Sequence, residues 1–519
     1  EIPLRLVGSE MCIRDRNTLA QYTKTFLGII IALFSTRVVL QQLGSEDFGL
    51  FSLVGSVLAF LSFFNTALTR STQRFLSFYM GKNDEQYQRT VLYNSFILHI
   101  GISLFTSLVM LSIEPLLFGG FLNIAPEQIE LARILYRLMI VSVFFTMNST
   151  PFNAVFVSHE NIVFSSVVYI IGALLKLVAA LALVVFSNKL LFYGIFMCLI
   201  SFIEYIIAIV GSALMYSETR TMFKNRVLDR KLLKSILSFS GYNLYGTLCI
   251  AGRDQGYAIV VNKFISLEAN AGFGIANQVS GQVNSFVYSI ASSMSPVITK
   301  SEGAGDRNKM IKYTVSASKI SAIIYILIAT PLIYEMELVL RLWLGKVPSY
   351  ACPFVICILI ANLLDSFSIG FRTGVQAIGK IRNYFLVFYT LKFASIPASI
   401  TMLMLGVDST LVLVPYIVVE LVGAFISIYY FAKETSTKVS YYIKNVVLKL
   451  LPVLVFSLSV ATILLLIINN RIISVLSIAI FPTLVSIAMS YFFVLTSEEK
   501  NVIYSCLLYT SPSPRDVEE

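Results

Sequence analysis

Histidine and charge are both scarce in this sequence. His99 and His159 are the two histidines in 519 residues, and a metal site needs more convergent ligands than they supply. Six cysteines show no redox or zinc spacing. Cys198, Cys249, Cys352 and Cys357 lie in or beside apolar runs and read as small buried hydrophobes. No glycine-rich phosphate loop is present, so ATP-driven work would need another protein. No nucleophile, base and oxyanion arrangement is recognisable either, and the chain does not read as an enzyme. Charged residues make up 13%, against about 25% in soluble domains. The cations are scattered without a basic face, which argues against a nucleic-acid partner.

Apolar residues fill the remainder, at 57%, with a mean hydropathy of +0.79. About twenty apolar residues cross a bilayer as a helix. On that measure fourteen spans are expected, at 19–41, 47–69, 89–112, 128–155, 161–187, 190–216, 233–261, 270–298, 311–334, 350–371, 382–405, 410–431, 441–468 and 472–496. No cleavable signal peptide is visible, and the first span would act as its own insertion signal. The two ends do not fit this pattern. Opposite strands of a single DNA segment encode Leu6 to Asp15 and Cys506 to Arg515, and that segment resembles a sequencing adapter. Residues 1–16 and 506–519 are therefore expected to be non-native tails. The tail from 506 carries one Arg against one Asp and two Glu, and the first sixteen residues are neutral, so the formal charge of +10 becomes +12 without them.

Lys and Arg alternate between connections. Twenty fall on one side, among them Arg70, Arg226, Arg307, Arg372 and Lys433, and five on the other: Lys189, Lys263, Arg341, Lys346 and Arg471. Positive residues favour the cytoplasm, which places both termini there. The chain also repeats itself. "SEDFGLFSLVG" matches "EANAGFGIANQ" loosely, and "GKND" matches "GAGD" with Asp84 and Asp306 separated by 222. Lys176 and Lys392 are 216 apart, as are Glu204 and Glu420. Each half holds six spans, an even number, so the halves enter the membrane in the same orientation, as in parallel-repeat transporters. The expected architecture is an all-α integral membrane protein of about 14 transmembrane helices: an N-lobe at 17–216, a basic linker at 217–232, a C-lobe at 233–432, and two further helices at 433–505.

Within the spans, two polar stripes recur at helical spacing. One runs through Asn277, Gly281, Asn284, Tyr288 and Ser295, and the other through Gly55, Ser62, Thr66, Thr69 and Gln73. Close helix packing and a wet inner wall both account for them. Ionisable groups inside a membrane are costly and mark cavities or partners. The candidates are Lys24, Lys176, Glu204, Arg253, Asp254, Lys319, Asp365, Lys392 and Glu420. Lys176–Glu204, Lys392–Glu420 and Arg253–Asp254 each read either as structural ion pairs or as working groups. Arg133 and Arg137 share one face at the start of the fourth span, as surface anchors or as the mouth of a cavity.

The opening "NTLAQYTKTFLGIIIALFSTRVVLQQLGSEDFGLFSLVGSVLAFLSFFNTALTRSTQRFLSF" resembles that of bacterial polysaccharide-export flippases of the Wzx type, within the superfamily of MATE transporters. "NAGFGIANQVSGQVNSFVYSIASSMSPVITKSEGAGD" is similar to the start of their second half, and "GVQAIGKIRNY" to a later turn. The resemblance implies fourteen helices in the bacterial inner membrane, alternating access, and an undecaprenyl-pyrophosphate-linked oligosaccharide carried from the cytoplasmic to the periplasmic leaflet. It implies no cofactor beyond a coupling ion, H⁺ or Na⁺. Partner proteins would be a polysaccharide polymerase and chain-length proteins. On this reading Arg253, Asp254, Lys24, Lys176, Lys392, Asn277, Asn284 and Gln73 would meet the substrate, and Asp254, Asp365, Glu204 and Glu420 would serve coupling. A multidrug cation antiporter is the alternative within transport. A membrane polymerase or ligase is the alternative from another class, although no outer connection is long enough for its usual catalytic loop.

Overall fold

The computed structural model describes residues 2–59, 61–121, 124, 126–224, 227–344, 347–468 and 470–500. The expected tail at 506–519, Arg226 and Lys346 lie outside the described residues, as do the side chains of residues 1–16 and Ser62. The protein is an all-α membrane protein. Its long helices are α1 (Ile2–Ala59), α2 (Leu61–Gly81), α3 (Glu85–Leu116), α4 (Ile129–Ser158), α5 (Ile162–Ala182) and α6 (Lys189–Met215). The second half repeats the series with α7 (Arg230–Phe264), α8 (Leu267–Gly303), α9 (Arg307–Leu344), α10 (Ala351–Ser366 and Ile369–Ile378), α11 (Arg382–Met404) and α12 (Val414–Thr435). Two more follow, α13 (Leu448–Ile467) and α14 (Arg471–Met489). The first two expected spans meet inside α1, where Gly44 leaves the helical region at φ +80°. A residue with a side chain seldom adopts that conformation. The second span then runs on through α2 to Gly81, beyond the expected limit at 69.

Among the described residues nine helices are long and apolar enough to cross a membrane, or ten with the bent α10. The helices outside that set include α7 and α8, which carry charge and a polar stripe. Their polarity is what a plain hydropathy test rejects and what a water-filled wall requires.

Two compact units share the chain. Leu19–Thr247 with Thr299–Gly305 forms one, called here the N-terminal unit; Leu248–Ile298 and the chain from Asp306 form the other, the C-terminal unit, together with the first eighteen residues. In the N-terminal unit, Val39, Leu43, Leu50, Val54, Leu135, Tyr136, Leu190 and Tyr193 make a core between α1, α4 and α6. Aromatic side chains dominate the other core, with Phe354, Phe371, Phe385, Phe388, Phe431 and Tyr442 fully buried.

The internal repeat is visible atom by atom. Asp84 caps α3 by accepting from Tyr87 N at 2.9 Å, and Asp306 caps α9 by accepting from Lys309 N at 2.9 Å. Gly81 lies against the Lys300 carbonyl and Gly303 against the Phe78 carbonyl, so close that an added Cβ would sit 2.0 and 1.9 Å from those oxygens. Residues 78 and 300, like 81 and 303, stand at the same offset as the two aspartates. Each half thus presents a glycine to the other's backbone, a reciprocal contact within the N-terminal unit.

Candidate functional site

In the C-terminal unit six charged side chains form one alternating chain. It starts at Asp254, whose Oδ1 accepts from Arg253 Nε at 3.1 Å. Arg253 Nη1 donates to Glu420 Oε1 at 2.6 Å. Lys392 Nζ stands 2.7 Å from Glu420 Oε2, an ion pair by distance without hydrogen-bond alignment. The same ammonium donates to Asp365 Oδ1 at 3.2 Å. Arg372 closes the series with a forked contact to Asp365, one arm measuring 2.7 Å. Burial is nearly complete: the Glu420 side chain is 2% exposed and Arg253 6%, whereas Asp254 is 36% exposed. Charges this deep persist only when paired and hydrogen-bonded, and the alternation supplies each with an opposite neighbour.

Local sequence explains how four helices deliver these groups. Gly252 and Gly256 put a smooth face of α7 against Phe393 and Ile396 of α11; a Cβ on Gly256 would come within 2.5 Å of Ile396. Small residues four apart are how membrane helices approach closely. Tyr257 Oη meets Ser399 Oγ at 2.9 Å and donates to Ser395 O at 3.2 Å, fixing the same crossing. Arg253, on this helix, donates from Nη2 to Tyr416 Oη at 2.6 Å and stacks over that ring at 4.0 Å. In α10 a 47° bend separates two short helices. Ser368 N and Oγ both reach Asp365 O at 2.9 Å across the bend. Gly370 presses on α9, where a Cβ would lie 2.2 Å from Thr314 O. The bend brings Asp365 and Arg372 together although seven residues separate them.

The N-terminal unit holds a smaller, open counterpart. Lys176 Nζ of α5 stands 3.6 Å from Glu204 Oε1 of α6, with side chains 37% and 28% exposed. Glu204 can approach because residue 172 is glycine: a Cβ there would lie 1.9 Å from Oε1. Tyr169, seven residues before Lys176 and so on the same face of α5, carries Lys24 over its ring at 4.7 Å. Lys24 of α1 and Lys176 of α5 therefore both stand along this face of α5, and Glu204 pairs with Lys176. A half-exposed ion pair near the middle of two spans is too costly to face lipid. That face is wet.

The remaining candidates fall as follows. Asn277 and Asn284 are half-buried on α8, whose opposite face (Ala276, Val283, Val287, Met294) is core. Among the described residues the single large hydrophobic side chain exposed on α8 is Tyr288, so its open face is polar. The Tyr288 hydroxyl lies near Arg372, Asp365, Lys392 and Glu420, which sets this face beside the ion chain. Gln73 is half-buried on α2. Lys319 is committed elsewhere, donating to Glu499 at 2.7 Å. Arg137 forks onto the buried Glu114 at 2.7 and 3.0 Å, a structural pair. His159 stacks on Tyr216 and bonds to Glu218, and His99 is buried with Nδ1 bonded to Ser95 O at 2.7 Å. Among the described residues no three His, Cys, Asp or Glu side chains are grouped to hold a metal.

One expectation needs correction. Arg372 reads in sequence as a cytoplasmic loop cation, but it is buried on α10 and belongs to the ion chain. Its spacing of seven from Asp365, two helical turns, sets both on one face, and the bend then closes the distance between them.

Comparison with known proteins follows the same lines. Residues 19–182 match the MatE family model. The structure is similar to a MATE transporter in its bent conformation (15% identity, 83% of this chain and 97% of that one, TM-score 0.71). The fold is that of the MATE transporters. It is also similar to a MOP-superfamily transporter from Pyrococcus furiosus whose binding pocket is described as reversed in polarity, suggesting a different function (14% identity, 82% and 96% covered, TM-score 0.71). A third relative is an outward-facing multidrug-resistance MATE transporter (15% identity, 83% and 98% covered, TM-score 0.67). At these identities the likeness is one of fold. No curated protein matches significantly. The family match is confined to residues 19–182, and beyond it the likeness is that of the fold.

Proposed function

We propose that this transporter flips an anionic, lipid-linked oligosaccharide of the undecaprenyl-pyrophosphate class from the cytoplasmic to the periplasmic leaflet, with coupling to an ion gradient. The observation that carries this reading is the open lysine pair of the N-terminal unit. Lys24, over the Tyr169 ring, and Lys176, paired with Glu204, stand along one face of α5, an excess of positive charge suited to an anion. A pyrophosphate with its sugars cannot cross about 30 Å of hydrocarbon unaided. Lysine is a flexible point charge suited to holding phosphate. Arg253, by contrast, already spends Nε, Nη1 and Nη2 on Asp254, Glu420 and Tyr416. The head group therefore falls to Lys24 and Lys176, and Arg253 to the sealed chain.

A multidrug antiporter would need carboxylates to prevail where charge is open, which is the reverse of this face. The test is leaflet-resolved flipping of a fluorescent undecaprenyl-pyrophosphate-linked glycan in proteoliposomes, with a lipophilic cationic dye run in parallel. Glycan flipping that Lys24→Ala or Lys176→Ala lowers about tenfold supports the proposal. Dye transport with no glycan flipping would replace it with the antiporter reading.

A further inference from the structure

Asp365 and Glu420 belong to different helices, yet their carboxylates meet at one ammonium. Lys392 Nζ lies 3.2 Å from Asp365 Oδ1 and 2.7 Å from Glu420 Oε2, with the ring of Phe388 beneath it at 4.6 Å. Arg372 and Arg253 hold the outer sides of the two carboxylates. Two acids converging on one compact monovalent cation is an arrangement that a dissolved cation could also satisfy, but here the cation is part of the chain. Arg253 and Arg372 cannot stand in for it, since each guanidinium is held by other partners as well. We infer that Lys392 is a tethered counter-ion: it occupies the place of a free monovalent cation, makes the C-terminal unit independent of inorganic cations, and would leave a sodium site behind if its side chain were removed.

The physical reason is charge balance. Without Lys392, Asp365 and Glu420 would face each other with one arginine apiece and nothing between them. A buried charge deprived of its partner is strongly destabilising, and a small cation that binds only the folded state would restore stability by mass action. The inference concerns the stability of the unit and does not depend on what the transporter carries.

Thermal unfolding of the purified full-length protein in sodium chloride and in choline chloride, at matched ionic strength, tests it. Wild type should unfold at the same temperature in both. Lys392→Ala should unfold about 5 °C or more higher in sodium. The double variant Lys392→Ala/Glu420→Gln, which removes the surplus negative charge, should again be indifferent. A wild-type protein that gains from sodium over choline overturns the inference, because a free cation would then bind beside Lys392. So does a Lys392→Ala protein that unfolds equally in both salts. Failure of Lys392→Ala to fold even in sodium also overturns it, whether or not the double variant folds, since no dissolved ion would then replace the ammonium.

Discussion

The two units carry the same lysine–glutamate pair, 28 residues apart in each, and put it to opposite uses. Lys392 and Glu420 are at most 6% exposed and lie within a chain of six charges. Lys176 and Glu204 are about a third exposed, 3.6 Å apart, with Lys24 as the nearest further cation along the same helix face. The difference arises from neighbours rather than from the pair. In the C-terminal unit the bent α10 brings in Asp365 and Arg372, and the two-glycine face of α7 brings in Arg253. Among the described residues no further ion pair joins Lys176 and Glu204, and both side chains stay partly exposed. A duplicated motif can therefore become buried framework in one copy and stay open in the other.

Removing a carboxylate should separate the two most sharply. Glu420→Ala strands two buried cations and should destabilise the protein by roughly 3–5 kcal/mol. Glu204→Ala, in a hydrated pair, should cost less than about 1 kcal/mol. Thermal unfolding of both variants measures this, and equal losses would erase the distinction. The lysines sharpen it in terms of transport. Lys24→Ala and Lys176→Ala should each lower glycan flipping about tenfold, equivalent to about 1.4 kcal/mol of binding, without moving the unfolding temperature. A drop in both activity and stability would make the open pair structural after all.

A charge at the rim of the N-terminal unit should behave differently again. Asp229 caps α7, accepting from Lys231 N at 2.8 Å and Leu232 N at 3.1 Å, and it also accepts from Tyr87 Oη at 2.9 Å. The Leu232 amide above all holds its carboxyl below the ordinary carboxylate range, and the tyrosine adds to this. Its folded pKa is depressed, so its contribution is complete above about pH 3.9 and disappears as pH falls through the lower folded value. Asp229→Ala should cost about 1 kcal/mol at neutral pH and nothing further in acid. Unfolding of the variant and wild type across that range would show the two curves converging. The smallest effect belongs to Gly172→Ala. The new methyl must push the Glu204 carboxylate aside, but that group is the end of a flexible side chain, so stability should change by less than about 0.5 kcal/mol. Lys176 should become more reactive to an amine reagent, and unchanged reactivity would mean that the pair does not hold it.

Much of this was legible in the sequence. Helix periodicity and apolar length located the spans, because each is a local property. The offsets of 222 and 216 led to real equivalences: the caps Asp84 and Asp306, the reciprocal glycines, and the two Lys–Glu pairs. The chain of charges was not legible as a chain. Arg253 and Asp254 stand side by side in sequence, but Glu420, the other acid on Arg253, lies 167 residues away on α12 and comes within reach only through tertiary packing. Arg372 was concealed by the bend in α10, which places inside the unit a residue that a straight helix would have carried toward its end. Tertiary packing decides such contacts, and spacing along one helix cannot anticipate them.

The ion chain also bears on how the protein is made. Its members form three couples, each close in sequence: Arg253 with Asp254, Asp365 with Arg372, and Lys392 with Glu420. A lone Asp or Arg at the centre of an inserting helix costs about 2.5–3.5 kcal/mol on the translocon scale. As ribosomes deliver the C-terminal unit, each couple can enter the bilayer already neutralised, the first two within a single helix and the third within one helical hairpin. The long-range bonds, Arg253 to Glu420 and Lys392 to Asp365, can then form by docking of neutral pieces, with no bare charge left waiting in lipid during synthesis.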